Sequence, residues 1–528
     1  MKLFTGFLTL SIAESRRPNV ILLNTDDFGI GDFQIYNREA KVPTPNIDRI
    51  GYEGVKFTDA HSGSSRCSPS RYMLMTGRYD MTDSEYRKIE LGNPHLGEMF
   101  AKAGYKTGLF GKVQPLTIRA KNVDLTAEEY RAVLEEKDAF RDNMRERGWP
   151  FRNLRPGGDI PGIYEQFNKP AEFNYTYAFT NTFACCSPGG FYENGIGIEP
   201  VDTYVNQKPY PEHLTPEDYA RTIDGRQLCS LFPSTGYMGP DTTTTTVLNN
   251  MEAFEQLPIY FCNFPRQNIA MRSFDSRHLE EMTIPKLEQF IDDNADEPFF
   301  AYYGMQSGHG PFGTPIRFRN QTEAGAIGEM IMEADEIVGK IFDRLEANGI
   351  ADDTLLMWMT DNGPAASAED RNLATGHNQR RVDLPDTSLE LKGTKNSQQE
   401  AGHRTPFLWR YPRRFSPKTL DDPRVPVSTV DIYATLAELA EYELECNEAP
   451  DSRSLVSYLE TGVANDELMN KPIMTHANIR GLAASLRKRE WKYIPGSQML
   501  YNMAVDPAEE NVNNSFTFLF YPFLESVF

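Results

Sequence analysis

Four separate stretches of this 528-residue chain end in side chains suited to polar chemistry: Asp26-Asp27, Lys112, His309 and Asp361-Asn362. The adjacent acids and the later Asp-Asn pair are hard oxygen donors, which suit Ca²⁺ or Mg²⁺ and argue against zinc. Each group taken alone is ordinary turn chemistry, since Asp-Asp and Asp-Asn-Gly are common in loops. What argues for a site is recurrence: each follows a short apolar run, at Val20 to Leu23, Gly108 to Phe110, Pro298 to Tyr303 and Leu355 to Met359.

Those runs, with a fifth at Pro406 to Trp409, have strand character and are separated by helical patterns. From Glu329 to Asn348 a helix is expected, with Ala334, Ile337, Val338, Ile341, Phe342 and Leu345 on one stripe and Gly349 as its stop. Strands alternating with helices imply a largely parallel, helix-covered sheet, whose ligands bind outside the carboxyl ends of the strands. The polar groups then converge on one rim. Between Pro115 and Arg277 the pattern weakens, through a capping box at Thr126 to Glu129, a Gly/Pro-rich stretch from Arg155 to Tyr164 and five threonines at Thr242 to Thr246. This span, about residues 115–277, reads as a variable insertion over the active face, where loops set specificity.

With 75 acidic and 54 basic residues the net charge is -21, the wrong sign for wrapping nucleic acid, so an anionic substrate needs a locally basic pocket. Six cysteines, at 67, 185, 186, 229, 262 and 446, are too few and scattered for zinc ribbons or a disulfide framework. Lys2, the apolar run Leu3 to Ile12 and the triplet Ser11-Ile12-Ala13 read as a signal peptide over residues 1–13. A secreted, lysosomal or periplasmic location is therefore expected, with no stable membrane span, and sequons at Asn174, Asn320 and Asn513 are compatible with that route.

The segment Cys67-Ser68-Pro69-Ser70-Arg71, followed by Thr76-Gly77-Arg78, resembles the C-x-P-x-R signature of the type I, formylglycine-dependent sulfatase family. Other stretches are similar to that family in the same order: Pro18 to Asp27, Thr44 to Asp48, Gly104 to Lys112, Tyr192 to Gly195, Gly308 to Phe312, Thr360 to Pro364, Lys392 to Arg404 and Leu500 to Pro507. Together they cover most of the chain outside the insertion.

The resemblance implies an α/β, alkaline-phosphatase-like large domain over residues 16–445, with a central mixed, mostly parallel sheet covered by helices. A smaller C-terminal α+β subdomain is expected over 446–528, with Ile473 to Ala477 and Trp491 to Ile494 as strands closing over the site. A formylglycine-generating maturation enzyme would oxidise Cys67, and the hydrated aldehyde would be the nucleophile. Asp26, Asp27, Cys67, Asp361 and Asn362 would hold the cation, calcium before magnesium. Lys112, His309 and Lys395 would clamp the sulfate, His309 would protonate the leaving alkoxide, and Arg71 would orient the nucleophile. The implied course is attack on sulfur, release of the alcohol, then elimination of sulfate to regenerate the aldehyde. The implied substrate is a sulfated carbohydrate or small sulfate ester. Alternatives are a phosphodiester or phosphonate-ester hydrolase of the same superfamily and a catalytically silent binder of sulfated glycans.

Two positions depart from the family pattern. Gln114 stands where a histidine commonly follows the catalytic lysine, and it can hydrogen-bond a hydroxyl but cannot take its proton. Ala401 stands where glycine is usual. Gln114, with His377 and His403 near the C-terminal motifs, is expected among the substrate contacts. His61, His95, His213, His278 and His476 carry no motif.

Overall fold

The computed structural model describes residues 17–79, 89, 92–112, 170–181, 191–194, 196–198, 202–203, 269–270, 278–310, 314–318, 320–365, 375–385, 387–478 and 483–512. The expected signal peptide, Gln114, Asn513 and most of the expected insertion lie outside these residues.

In β1 (Asn19–Thr25) every residue is buried, as a strand covered on both faces requires. Side chains alternate: Val20 and Leu22 join one apolar cluster, Ile21 and Leu23 the other. The same division runs through the rest of a ten-stranded sheet. Its strands are β1, β2 (Val55–Phe57), β3 (Lys106–Lys112), β4 (Tyr177–Asn181), β5 (Phe191–Glu193), β6 (Ile196–Gly197), β7 (Phe299–Gly304), β8 (Thr354–Thr360), β9 (Phe407–Arg410) and β10 (Lys418–Leu420). Their spatial order is β10-β2-β9-β8-β1-β7-β3-β4-β5-β6. The central run β8-β1-β7-β3-β4 is parallel throughout, and antiparallel pairings flank it on both sides. The carboxyl ends of β1, β3, β7 and β8 therefore share one edge.

Helices α1 (Pro45–Tyr52), α4 (Leu279–Asp293) and α5 (Gly325–Ala347) pack on the face that holds Ile21 and Leu23. Helices α2 (Cys67–Thr76), α3 (Leu96–Lys102) and α6 (Ile432–Leu439) cover the opposite face. Helix α5 begins four residues before the expected Glu329, where the buried Ile327 continues the apolar stripe toward the N-terminus.

A second sheet near the C-terminus is an antiparallel meander of β11 (Ile473–Asn478), β12 (Ala483–Lys488), β13 (Trp491–Ile494) and β14 (Met499–Asn502). Its edge strand docks on the segment just before Cys67: His476 donates its N–H to Gly63 O at 3.0 Å, and His476 O accepts from Ser65 N at 2.9 Å. Among the described residues no helix is long and apolar enough to cross a membrane.

Candidate active site

Cys67 is the first residue of α2, with Arg66 extended at its N-cap. Pro69 falls in the first turn, where its missing N–H costs nothing, and Gly77 at φ +61° ends the helix by donating to Met73 O at 2.9 Å. Arg71 follows Cys67 by one turn, so both project from the same side of the helix. Cys67 Sγ lies 3.2 Å from Asp26 Oδ1 and 3.0 Å from Lys395 Nζ. Burial, with Asp26 and Asp361 close by, pushes the thiol pKa well up.

Asp26 and Asp27 leave the end of β1, and Asp27 sits at φ +55°. The turn is tied down on both sides: Asp26 N donates to Ser307 O at 3.2 Å, and Asp361 N to Thr25 O at 3.1 Å. The turn carrying His309 approaches so closely that a Cβ on Gly308, itself at φ +101°, would stand 1.9 Å from Asp26 O. Only glycine fits there.

Arg71 is fully buried and reaches past Cys67 into the carboxylates. Its Nε donates to Asp361 Oδ2 at 2.7 Å, while Nη2 donates to Thr25 O at 3.1 Å and Asp26 Oδ2 at 3.4 Å. Nη1 donates to the Tyr302 hydroxyl at 3.0 Å. Lys112, the last residue of β3, forms a close ion pair with Asp26. Lys395 Nζ donates to Asp27 Oδ1 at 2.5 Å, and Asn362 Nδ2 donates to the same oxygen at 2.6 Å. His309 Nε2 stands 3.7 Å from Asp27 Oδ2; its Nδ1 donates to Gly310 O at 2.6 Å, which fixes the proton on Nδ1 in the neutral ring.

Burial works against ionisation of Asp26, yet Lys112, His309, Arg71 and Lys395 hold its pKa well below the usual range. Asp27 and Asp361 are raised, chiefly by burial and in part by the Asp26 charge beside them. Burial pushes His309 down to about 3. Asp361 Oδ1 and Asn362 Oδ1 are buried without any hydrogen-bond partner. Ligand atoms of Asp26, Asp27, Cys67 and Asp361 lie within 4.8 Å of one another. Unpartnered buried oxygens among mutually repelling carboxylates fit a hard divalent cation, which would satisfy the one and offset the other.

Of the residues expected from sequence, Asp26, Asp27, Cys67, Arg71, Lys112, His309, Asp361, Asn362 and Lys395 come together here. His377 and His403 do not present themselves as substrate contacts. His377 is fully buried, with Nε2 at 2.8 Å from Asp32 Oδ1 and Nδ1 accepting from Lys41 N at 3.3 Å, so both ring nitrogens are occupied in holding a turn. His403 is equally buried, its Nδ1 at 2.9 Å from His61 Nδ1 and its Nε2 at 3.1 Å from Lys492 Nζ. Ala401 causes no backbone strain, since its φ is not positive within the short turn Glu400–Gly402. Tyr302 was not anticipated: it lies in the apolar run of β7, yet its hydroxyl takes hydrogen bonds from Arg71 and, at 3.0 Å, from Asn24 Nδ2. A tyrosine in an otherwise apolar buried strand is itself a signal, because a buried hydroxyl needs a partner.

Residues 18–442 match the family model described as Sulfatase. An N-acetylgalactosamine-6-O-sulfatase of Bacteroides thetaiotaomicron is 27% identical over 94% of this chain and 89% of its own. A solved structure from work on the metabolism of multiple glycosaminoglycans by Bacteroides thetaiotaomicron superposes with a TM-score of 0.69 at 22% identity, covering 97% of this chain and 99% of the other. A phosphonate monoester hydrolase of Agrobacterium radiobacter shares the fold at a TM-score of 0.52 and 17% identity, over 97% and 95% of the two chains.

Proposed function

The chain belongs to the sulfatase family of sulfuric-ester hydrolases, and from that premise we propose that it removes sulfate from a sulfated carbohydrate, with oxidised Cys67 as the nucleophile. The observation that carries this reading is the setting of Cys67: at the head of a helix, 3.2 Å from Asp26 and 3.0 Å from the Lys395 ammonium. An unmodified thiol is poorly suited to attack there, because burial and two carboxylates keep it protonated and the thiolate is the reactive form. Conversion to formylglycine, in which the side chain loses its sulfur and two electrons to an external oxidant during maturation, supplies a hydrated aldehyde whose oxygen attacks sulfur.

Asp26, Asp27, Asp361 and Asn362 would hold a divalent cation, with calcium the first choice, whose chemistry is to lower the nucleophile's pKa and offset charge on the sulfuryl oxygens. Arg71 favours the charged forms of Asp26 and Asp361 and holds the two in register. Lys395 and Lys112 bring two ammonium groups to the mouth of this cluster and would take the ester oxygens in place of some of their present carboxylate contacts. His309 enters as a neutral ring; an anionic ester beside it would raise its pKa and make it the donor to the departing alkoxide. The alcohol leaves with that proton as its S–O bond breaks.

The 6-O-sulfate of an N-acetylgalactosamine-containing glycan is the first substrate to try, on the likeness to the 27%-identical relative. Two measurements test the reading. The Cys67 peptide from protein made with a maturation enzyme should be lighter than its cysteine form by about 18 Da. The same protein should hydrolyse sulfate esters faster than matched phosphate or phosphonate esters; the reverse preference, or an intact thiol with no turnover, would refute it.

A further inference from the structure

Lys492, on β13 of the small sheet, is fully buried. Its Nζ stands 2.9 Å from Glu400 Oε1, 2.9 Å from Glu509 Oε1 and 3.1 Å from His403 Nε2. The ammonium is hydrogen-bonded to Glu400 and in contact with His403, and its charge is shared with Glu509 as an ion pair. A buried charge so completely matched marks a joint between two parts of a fold, here between the small sheet and the segment 392–404 that carries Lys395.

That segment needs anchoring. Gly393 at φ +88° and Asn396 at φ +71° flank Lys395, so the backbone on either side of it is left-handed. On the side toward the site, main-chain bonds tie it to its neighbours: Lys395 N to Pro364 O at 2.8 Å, Asn396 N to Ser65 O at 2.9 Å, and Gly363 N to Gly402 O at 2.9 Å. On the far side it is held by Glu400, whose N–H donates to Glu509 Oε2 at 2.8 Å and whose carboxylate pairs with Lys492. Gln398 adds a lesser tie, from Nε2 to Ala484 O at 2.9 Å.

Two histidines behind the joint extend this network. His61 Nε2 faces Asp59 Oδ1 at 2.8 Å and must donate, so in the neutral ring Nδ1 accepts. His403 Nδ1 stands 2.9 Å away, and His403 Nε2 lies 3.1 Å from both Lys492 Nζ and the Gln398 carbonyl oxygen. Contacts thus continue from Lys492 through His403 and His61 to Asp59, with Arg487 closing on Asp59 at 2.8 Å and Arg404 at 3.9 Å. Three carboxylates, Asp59, Glu400 and Glu509, balance three cations, Arg404, Arg487 and Lys492. Without Lys492, Glu509 would lose its ion-pair partner and Glu400 would keep only the longer contacts to Arg404 at 3.5 Å and Arg487 at 3.7 Å, so the far anchor of the Lys395 segment would weaken.

We propose that Lys492 and Glu400 are positioning residues for Lys395, acting through the segment between them; the proposal rests on the sulfatase reading in taking Lys395 as a group that grips the ester. The test is a double-mutant cycle on the matured enzyme with an aryl sulfate, using Lys492→Arg and Gln398→Ala, each alone and with Lys395→Ala. Gln398→Ala leaves the ion network whole, so a poorly folding Lys492 variant does not leave the question open. In the native background Lys492→Arg should lower kcat roughly 10- to 100-fold, and Gln398→Ala by less, with KM changed little. In the Lys395→Ala background the same changes should lower kcat by less than about twofold, since the group they position is gone. Equal losses in both backgrounds, which a mere drop in folded enzyme would produce, would overturn the proposal. Crystal structures of the two variants give an arm independent of turnover. Lys395 displaced from Asp27 is expected, and Lys395 in place would overturn the proposal whatever the rates. A displaced Lys395 in a protein whose native form cleaves no sulfate ester would sink the sulfatase reading alone.

Discussion

Arg71 and Asp361, 290 positions apart in the chain, meet in the buried centre of the site with Nε 2.7 Å from Oδ2. The same guanidinium reaches Asp26, Thr25 O and Tyr302, so one planar fork sets four groups from three strands. Lysine is a point charge on a flexible stem and cannot reproduce the fork. Arg71→Lys should lower kcat/KM by about 100-fold or more. Arg71→Ala should in addition destabilise the fold by about 3–5 kcal/mol, because it leaves buried carboxylates unpaired. Steady-state kinetics and urea denaturation check the two effects separately; an Arg71→Lys enzyme with native rates would show that charge alone suffices.

Metal removal should be visible without any assay of turnover. If Asp361 Oδ1 and Asn362 Oδ1 are orphaned because they await a cation, then dialysis against a chelator lowers the melting temperature and calcium restores it. At a free calcium of about 100 times Kd the gain is about 2.7 kcal/mol. Asn362→Asp and Asp361→Asn should both alter the calcium midpoint. A melting temperature indifferent to chelator and calcium would remove the cation from the site.

His377 should behave as a structural residue. Its ring holds Asp32, whose other oxygen accepts from Gly29 N at 2.8 Å and from Gln379 Nε2 at 2.7 Å, so the pair braces the turn after Asp27 from behind. His377→Ala leaves a buried acceptor underserved and should cost about 1–3 kcal/mol of stability. KM for a sulfated sugar should stay within twofold or so; a KM rise of tenfold or more in folded protein would restore His377 to the substrate.

How much of this was legible in sequence follows from what kind of signal each residue left. Asp26, Lys112 and Asp361 end apolar strand runs, so a period-two pattern and a carboxyl-end rule suffice to bring them to one edge. Arg71 was legible as a residue one helical turn past Cys67, but its work on Asp361 and Asp26 depends on strand order, which no local pattern encodes. His377 and His403 sit beside the motifs in sequence, but the contacts of their rings, with Asp32 and Lys41 and with His61 and Lys492, are long-range and no local pattern encodes them. Lys492 lies in an expected strand and Glu400 in a matched segment, but their pairing left no trace, because an ion pair spanning 92 positions is indistinguishable in sequence from two solvated charges.

Stability should fall on acidification in two stages of the same sign. Burial holds His61 and His403 below 6.5 in the folded state, against nearby carboxylates that favour the cation. His95, buried against Tyr175, is pushed down to about 3. The unfolded chain takes up these protons near pH 6.5 while the folded chain does not, so stability is present above that pH and is lost as pH falls. Each such histidine contributes a slope of about 1.4 kcal/mol per pH unit below about 6.5. Asp59 and Glu400 add a second stage. Despite burial, Arg487 and Arg404 hold Asp59, and Lys492 holds Glu400, below their ordinary values, so their contribution fades as pH drops through the unfolded carboxylate range near 4. Denaturation midpoints from about pH 8 to about pH 2 should show both stages. His403→Gln should flatten the upper stage selectively, and an unchanged slope between about pH 6.5 and 5 would contradict the neutral, buried assignment.

The net charge of -21 bears on catalysis through distance. Two lysines, an arginine and a bound cation would make the pocket locally positive, yet a long sulfated chain approaches a surface that is acidic overall. That repulsion acts beyond the pocket and is what salt screens: the Debye length is about 10 Å at 0.1 M and about 3 Å at 1 M. Contacts between the ester and the buried lysines are shorter than either length and are screened far less. Raising ionic strength should therefore lower KM for a polyanionic glycan while leaving KM for a small monosulfated sugar nearly level. Parallel salt titrations with the two substrates separate the terms. A KM for the polymer that rises with salt would mean that a basic track outside the pocket draws the chain in, and that the global charge does not govern approach.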